Sequence, residues 1–277
     1  MYPIDALISP TLKHLREQWW NDEFTEFLTE TLRPRPGNRI LDVGCGTGAA
    51  EVSIGRLHVS QIRLYGVDLK ADEVAVAARE AASHNLPARF VAGDACRLPF
   101  ADKAFDSTYC VAVLQHIRDV ELAVREFARV TRTHGRIVAV EPDNAARYAY
   151  SSTPTGALTF ELAAEFFAAA AAARGDAANP VVGPRLPGIF AANGIDPVMV
   201  RLFPVSYPRL EAPSEEIWRA RRSAVEAALV GTTPPVRDLG QRYLAALDLY
   251  QRESRASSGV FVEIQNTMLF ATVGQRV

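Results

Sequence analysis

The stretch RILDVGCGTG, residues 39–48, joins a short apolar segment to three closely spaced glycines and then to a helix-forming segment. The apolar residues before the glycines predict a buried strand, and residues 49–54 continue at helical spacing without a proline. Glycines in such a turn let a ligand approach main-chain N–H groups, and the start of the following helix offers further unpaired N–H donors. The stretch therefore predicts a ligand-binding corner. Gly44, Gly46 and Ala49 also satisfy the dinucleotide form of the glycine pattern, so the loop alone leaves its ligand open.

The composition indicates a globular protein without an obvious macromolecular partner. The 277 residues are 48% hydrophobic and 22% charged, which suits one domain with insertions or two small ones. A net charge of −2 gives no electrostatic reason to expect a nucleic-acid partner, and the short basic cluster Arg219–Arg222 is interpreted as a solvated helix face. The longest apolar run, Phe166 to Ala173, is far shorter than the ~20 residues of a membrane span. We therefore expect no membrane span.

The three cysteines, Cys45, Cys96 and Cys110, have no C-x-x-C spacing. This pattern predicts reduced thiols and no metal site. The N-terminus lacks the basic flank and apolar run of a signal peptide. Together these features predict a cytoplasmic protein.

Five strand-like segments alternate with helical segments between residues 39 and 143, which predicts a parallel sheet built from right-handed crossovers. In such a sheet, ligands bind at the carboxyl ends of the strands. The predicted ends carry Gly44, Asp68, Asp94, Val113 and Glu141. These five positions are expected to converge on one site.

The motifs at these ends resemble those of one enzyme family when they are taken together. LDVGCGTG at 41–48 is accompanied by VD at 67–68, GDACRLPF at 93–100 and FD at 105–106. The combination resembles the class I S-adenosylmethionine-dependent methyltransferases, in particular the small-molecule branch of methyltransferase type 11 and the ubiquinone-biosynthesis methyltransferases. The resemblance is close from residue 38 to 143. It implies an α/β fold with a Rossmann-like, doubly wound, mostly parallel seven-stranded sheet, an antiparallel last strand and helical lid insertions.

The resemblance also implies S-adenosylmethionine as cofactor and S-adenosylhomocysteine as product. Asp42 would accept from the α-ammonium group of the cofactor, Asp68 from both ribose hydroxyls and Asp94 from the adenine amino group. An ammonium explains an acid just before the glycines, where a phosphate would disfavour one. The other implied cofactor contacts are Gly44, Cys45, Gly46, Leu69, Gly93, Ala95 and Val111.

Methyl transfer from a sulfonium requires alignment and exclusion of water more than acid–base chemistry. A hydroxyl acceptor would still be helped by a base, and the candidates are His116 and Glu141. Either residue has an ordinary structural alternative, because His116 lies in a turn and Glu141-Pro142 can simply end a strand. We expect Trp19, Trp20, Tyr148 and Tyr150 to line the acceptor pocket or its lid.

The expected organisation is one domain with helical insertions around the cofactor-binding core. Aromatic residues in the helical segments predict a cover suited to a small, largely apolar acceptor: Phe160, Phe166, Phe167, Tyr207 and Trp218. The expected segments are an N-terminal helical lid (1–36), the core (37–143), a helical insertion (144–182), a core helix and sixth strand (183–208), a second helical insertion (209–258) and the last strand (259–277).

Two other functions stay open on sequence grounds. An NAD(P)-dependent oxidoreductase shares the glycine loop and the acid after the second strand, although Asp42 and the Gly93-Asp94-Ala95 end count against it. A non-catalytic S-adenosylmethionine-binding protein would have the same cofactor motifs.

Overall fold

A computed structural model describes residues 20–55, 62–143, 146, 148–173, 181–257 and 259–277, so Trp19 lies outside the described residues. The chain forms two compact units, which are considered separately. The sheet unit contains the described residues of 20–145, 178–203 and 268–277, and the helical unit contains those of 146–177 and 204–267.

The elements follow one another as strands and helices through both units. In chain order they are α1 (Asp22–Leu32), β1 (Arg39–Val43), α2 (Ala49–Gly55), β2 (Arg63–Asp68), α3 (Ala71–Ser83), β3 (Ala88–Ala92), β4 (Phe105–Val111), a 3₁₀ turn (Leu114–His116), α4 (Val120–Val130), β5 (Thr131–Asp143), β6 (Ala149–Ser151), α5 (Gly156–Ala173), a 3₁₀ turn (Gly183–Arg185), α6 (Leu186–Ala192), β7 (Ile195–Arg209), α7 (Glu215–Leu229), α8 (Pro234–Ala256) and β8 (Glu263–Arg276).

The sheet unit is built on parallel strands in the order β3-β2-β1-β4-β5. β8 runs antiparallel to β5, with Arg136 opposite Gln275 and Asp143 opposite Met268, and β7 pairs with β8. After β3 the chain crosses back to β4, which pairs with the other side of β1. The strand order therefore reverses between β1 and β4, and this is where such sheets bind ligands. The expected mostly parallel α/β sheet with an antiparallel last strand is confirmed.

Two helices of the sheet unit, α1 and α4, begin where a side chain caps a free N–H group. Asn21 Oδ1 accepts from Phe24 N at 2.9 Å at the start of α1. Asp119 Oδ1 accepts from Leu122 N at 2.9 Å at the start of α4. Phe127 on α4 is completely buried in the core that the helix forms with the sheet.

The helical unit has its own aromatic core, and this corrects the predicted aromatic cover. Phe166 on α5, Trp218 on α7 and Tyr250 on α8 are 0% exposed and belong to one buried cluster. Phe160 and Phe167 pack against the same cluster. Phe160, Phe166, Phe167 and Trp218 were predicted to cover an acceptor, but they pack in this core, which α5, α7 and α8 share.

Several boundaries also differ from expectation. The segment predicted as one long helix from residue 144 begins with β6, which pairs with β8 through Ser151 and Glu263, so the helix starts only at Gly156. β6 is an eighth strand that the sequence analysis did not predict. The last strand starts at Glu263, inside the predicted segment 259–277, and continues to Arg276.

One helix in the described part of the chain, α5, has the length and apolar composition required to cross a membrane. Leu162, Phe166 and Ala170 on this helix are buried in the core of the helical unit. The absence of a membrane span therefore stays a prediction.

Candidate functional site

The glycine loop between β1 and α2 has the backbone conformation that its sequence predicts. Gly44, Gly46 and Gly48 have φ values of +77°, +52° and +85°, which other residues rarely adopt. A Cβ at Gly44 would lie 2.3 Å from Val113 Cγ2, and one at Gly48 would lie 3.1 Å from the Cα of Ala77. A Cβ at Gly46 would meet nothing within 4 Å. The outer two glycines are thus needed for packing, while Gly46 faces open space that a ligand can approach.

Asp68, at the end of β2, holds the glycine loop in place. Its Oδ2 atom accepts from Gly46 N at 3.0 Å and its Oδ1 atom accepts from Lys70 N at 2.9 Å. Each carboxylate oxygen has a second lone pair that can accept from a ligand hydroxyl. The next residue, Leu69, is 72% exposed, an unusual position for a large apolar side chain and one available to a planar ligand group. Asp68, Leu69 and Gly46 are therefore close together, as predicted.

The end of β3 adjoins the same place through backbone contacts. Gly93 N donates to Asp68 O at 2.8 Å, and a Cβ at Gly93 would lie 2.9 Å from Pro99 Cδ. Asp94 Oδ1 accepts from Cys96 N at 2.8 Å, so this aspartate also stabilises its own turn. Ala95 is half-buried beside it. The predicted adenine contacts, Asp94 and Ala95, thus follow directly after Gly93, whose N–H group is bonded to the end of β2.

The end of β4 has an unusual backbone conformation. Val111 is half-buried at the last strand position, and Ala112 has φ +58°, in the left-handed region. A residue with a Cβ is held there at a cost of ~1 kcal/mol or more, and such strain is common beside functional sites. The following 3₁₀ turn carries His116, whose side chain is half-buried.

Glu141 is completely buried and holds this turn. Its Oε1 atom accepts from Val113 N at 2.8 Å and Leu114 N at 2.7 Å, and its Oε2 atom accepts from Gln115 N at 3.2 Å. Burial raises the pKa of Glu141 to about 7, although the three N–H groups oppose the rise. The sequence analysis placed Glu141 after the strand, whereas β5 continues through it to Asp143. A role as catalytic base stays a prediction, and the N–H donors already bound to the carboxylate argue for a positioning role.

A cluster of buried acidic groups lies next to the glycine loop. Asp42 on β1 is 4% exposed, Glu51 on α2 is 1% exposed, and Tyr109 lies opposite Asp42 on β4 with no exposure. Burial raises the pKa of Asp42 to about 8, and the Asp68 charge adds to this rise. Burial and the Asp42 charge raise the pKa of Glu51 well above its usual value. Burial and the nearby carboxyls also raise the pKa of the Cys45 thiol, so this cysteine is a neutral neighbour of the site.

Glu51 and Tyr109 are site residues that the sequence analysis missed. An acid in the first turn of a helix ordinarily complements the helix dipole, and a tyrosine in a strand ordinarily packs in the core. Neither oxygen of the Glu51 carboxyl has a hydrogen-bond partner. The Tyr109 hydroxyl lies close enough to Asp42 to lower the pKa of that carboxyl. The register of β1 and β4 brings Tyr109 to Asp42, and the docking of α2 on the sheet brings Glu51 there.

The predicted acceptor-contacting residues are dispersed between the two units. In the sheet unit, Trp20 packs edge-on against Phe24 with ring centroids 5.2 Å apart. In the helical unit, the side chains of Tyr148 and Tyr150 are 56% and 45% exposed. Contact of these residues with an acceptor stays a prediction. Among the described residues, no group of three or more His, Cys, Asp or Glu side chains is arranged to hold a metal ion.

The motifs that form this site occur in a known family. Residues 41–139 match the model of a family described as "Methyltransferase domain". This segment is a methyltransferase domain. It extends from β1 into β5 and so contains the glycine loop, Asp68, Asp94 and the strained end of β4.

Related proteins agree with this assignment of the methyltransferase domain. An O-methyltransferase of Pyrenophora dematioidea is 36% identical over 108 residues, which cover 38% of this chain and 40% of that protein. A demethylmenaquinone methyltransferase of Mycobacterium marinum is 36% identical over 127 residues, which cover 46% of this chain and 47% of that protein. The match thus spans less than half the length of either relative.

The fold of a solved structure extends over almost the whole chain. A putative methyltransferase from Bacillus halodurans C-125 superposes with a TM-score of 0.59 at 14% identity, covering 91% of this chain and 99% of that one. At this identity the similarity concerns the fold alone.

Proposed function

We propose that this protein is an S-adenosylmethionine-dependent methyltransferase that methylates a small, largely apolar organic acceptor. The observation that carries the proposal is the hydrogen bond from Gly46 N to Asp68 Oδ2, which lies beside the open space at Gly46. One carboxylate at this position accepts from ribose hydroxyls while the loop N–H groups face the rest of the ligand.

The residues around the loop fit this cofactor better than a dinucleotide. The buried carboxyls of Asp42 and Glu51 favour a cationic ligand end, such as the α-ammonium group, and oppose a pyrophosphate. Gly46 leaves room for a ligand against the backbone. These features support the methyltransferase proposal over the NAD(P)-dependent alternative.

The cofactor, when bound, supplies a methyl group on a sulfonium that becomes a neutral leaving group. The chain's own residues bind and orient: Asp68 accepts from the ribose, and Asp94 accepts from the adenine amino group. His116, in the turn held by Glu141, removes the proton of a hydroxyl acceptor. The names of both relatives, an O-methyltransferase and a demethylmenaquinone methyltransferase, support a small organic acceptor.

Replacing Asp68 by alanine is expected to weaken the binding of S-adenosylhomocysteine by about 1.5–3 kcal/mol, because the bonds from the ribose to a charged acceptor are lost. Isothermal titration calorimetry measures the change, and Asp72→Ala, an exposed acid in α3, is the matched control. Thermal unfolding of unliganded Asp68→Ala measures separately how much stability is lost with the hydrogen bond to Gly46.

Stabilisation of the wild type by NAD but not by S-adenosylhomocysteine would overturn the methyltransferase proposal.

Replacing His116 by alanine is expected to lower turnover by ~100-fold or more for a hydroxyl acceptor, the usual range for loss of a general base. Affinity for S-adenosylhomocysteine should change less than twofold. The measurement is formation of S-adenosylhomocysteine with a panel of phenols, enols and quinols. Full activity of His116→Ala would exclude the base role. A wild-type protein that binds the cofactor but methylates nothing on the panel would instead favour a non-catalytic binding protein.

A further inference from the structure

The acidic pocket, defined as Asp42, Glu51 and Tyr109, is built from three elements of the sheet unit. Asp42 comes from β1, Glu51 from the first turn of α2, and Tyr109 from β4. All three side chains are less than 5% exposed. The other titratable groups that act on the acidic pocket are the Cys45 thiol and the Asp68 carboxyl, which are also acidic. In the part of the chain that the structure describes, no cationic side chain acts on Asp42 or Glu51.

Glu51 is the unexplained member of the acidic pocket. Both of its carboxyl oxygens are buried without a hydrogen-bond partner. Burying a carboxyl without a donor is strongly unfavourable, and packing alone does not explain a glutamate where an apolar residue would be more stable. The arrangement therefore points to a ligand that brings both donors and positive charge.

We propose that Glu51 is a cofactor-binding residue that, together with Asp42, holds the α-ammonium group of the methyl donor. This inference rests on the function proposed above and assigns a residue outside the family motifs. An ammonium group has three N–H donors and one positive charge, and the two carboxyls offer four acceptor oxygens. A phosphate in the same position would meet two buried acids, so the acidic pocket also selects against nucleotides with a phosphate there.

The acidic pocket also makes the affinity for the methyl donor depend on pH. Without ligand, Asp42 retains a proton near neutral pH, because burial raises its pKa to about 8. Burial and the charge of Asp42 also raise the pKa of Glu51. An ammonium group stabilises the ionised carboxyls, so binding releases a proton. Affinity for S-adenosylhomocysteine is therefore expected to rise between pH 6 and pH 8, by up to ~tenfold per pH unit for each proton released.

The test is calorimetry on Glu51→Gln with two ligands, at pH 6, 7 and 8. S-adenosylhomocysteine carries the α-ammonium group, whereas 5′-methylthioadenosine shares the nucleoside but lacks the whole amino-acid end. We expect Glu51→Gln to lose tenfold or more in affinity for S-adenosylhomocysteine, to change less than twofold for 5′-methylthioadenosine, and to show a weaker pH dependence. Glu80→Gln, an exposed glutamate on α3, is the matched control and should behave like the wild type.

The outcomes separate this inference from the function on which it rests. A wild-type protein that binds neither ligand contradicts the proposed methyltransferase function. Wild-type binding with an unchanged affinity of Glu51→Gln for S-adenosylhomocysteine, or with an equal loss for both ligands, overturns the role of Glu51. Asp42→Asn is a second variant that should show the same ligand selectivity. A higher thermal unfolding midpoint of unliganded Glu51→Gln would show that its loss of affinity for S-adenosylhomocysteine does not come from misfolding.

Discussion

Replacing Glu263 by alanine is expected to lower the free energy of unfolding of the helical unit by about 3–5 kcal/mol, because the change leaves a buried guanidinium without its carboxylate. Glu263 is 1% exposed, and its Oε1 atom lies 2.6 Å from the Arg221 guanidinium. Its Oε2 atom accepts from the Tyr250 hydroxyl at 2.8 Å. Urea unfolding followed by the fluorescence of Trp218, which lies 4.8 Å from the Arg221 guanidinium, measures the effect. Phenylalanine at positions 19 and 20 removes the other tryptophan signals.

An exposed ion pair in the same unit is the control for Glu263→Ala. Arg222 and Asp248 approach to 2.8 Å, but the Asp248 side chain is 54% exposed. Asp248→Ala should therefore lower the free energy of unfolding by about 1 kcal/mol or less. If Glu263→Ala and Asp248→Ala lowered the free energy of unfolding equally, burial would not explain the effect of Glu263→Ala.

The pH dependence of stability gives an independent check on Glu263. Burial opposes ionisation of this carboxyl, but the charge and hydrogen bond of Arg221 prevail and lower its pKa. An acid with a lowered folded-state pKa stabilises the fold above its unfolded-state pKa of ~4.3, and the stabilisation is lost as pH falls through the folded-state value. The stability advantage of the wild type over Glu263→Gln should accordingly shrink below about pH 4.

A double variant separates the charge pair from its surroundings. Glu263→Leu combined with Arg221→Met replaces both buried charges by apolar groups, which often restores stability. Here the recovery should be partial, because Arg209 also lies 3.7 Å from Glu263 with its side chain only 8% exposed. A double-mutant cycle gives the coupling energy of the pair directly.

Arg221 shows where a sequence pattern was available but was misread. The Arg219–Arg222 cluster was interpreted as a solvated helix face, but Arg221 is buried against Glu263. Trp218, Arg221 and Val225 are spaced i, i+3 and i+7 on α7, which places them on one face. The tryptophan identifies that face as buried, but its acidic partner comes from β8 and no local pattern predicts that pairing.

The glycine loop and its contact with Asp68 were predictable because their constraints are local. The glycines of the loop need positive φ or close packing, and the ends of neighbouring parallel strands bring Asp68 to Gly46. The acidic pocket was not predictable from such rules. Asp42 meets Tyr109 through strand register, and Glu51 reaches them through the docking of α2, so both contacts depend on tertiary structure.

Glu141 was located correctly near the site but in the wrong structural context. Glu141-Pro142 was interpreted as a strand end, because proline lacks the N–H that a central strand uses. The strand continues, with Glu141 opposite Phe270 and Pro142 opposite Leu269 on the antiparallel β8. The glutamate side chain is thereby buried and directed at the backbone of the turn after β4.

Replacing Glu141 by alanine is expected to lower the free energy of unfolding of the sheet unit by about 3 kcal/mol or more. Three N–H groups, two of them in buried bonds, lose their acceptor, and each unsatisfied buried donor costs ~1–3 kcal/mol. The turn that carries His116 should loosen at the same time. Urea unfolding measures the first effect, and faster amide hydrogen exchange at Val113, Leu114 and Gln115 measures the second. Unchanged exchange at these amides would contradict the positioning role.

Glutamine at position 141 distinguishes positioning from base catalysis, because it retains an acceptor oxygen but does not take up a proton. The pKa of Glu141 is raised from 4.5 to about 7, so the folded protein binds a proton more tightly than the unfolded chain between these values. The stability of the wild type relative to Glu141→Gln should therefore fall by about 3 kcal/mol as pH rises from 4.5 to 7, and stay level above that. Turnover of Glu141→Gln close to the wild-type rate, together with loss of turnover in Glu141→Ala, is the result expected of a residue that positions the His116 turn. Equal loss in both variants would instead identify Glu141 as the base.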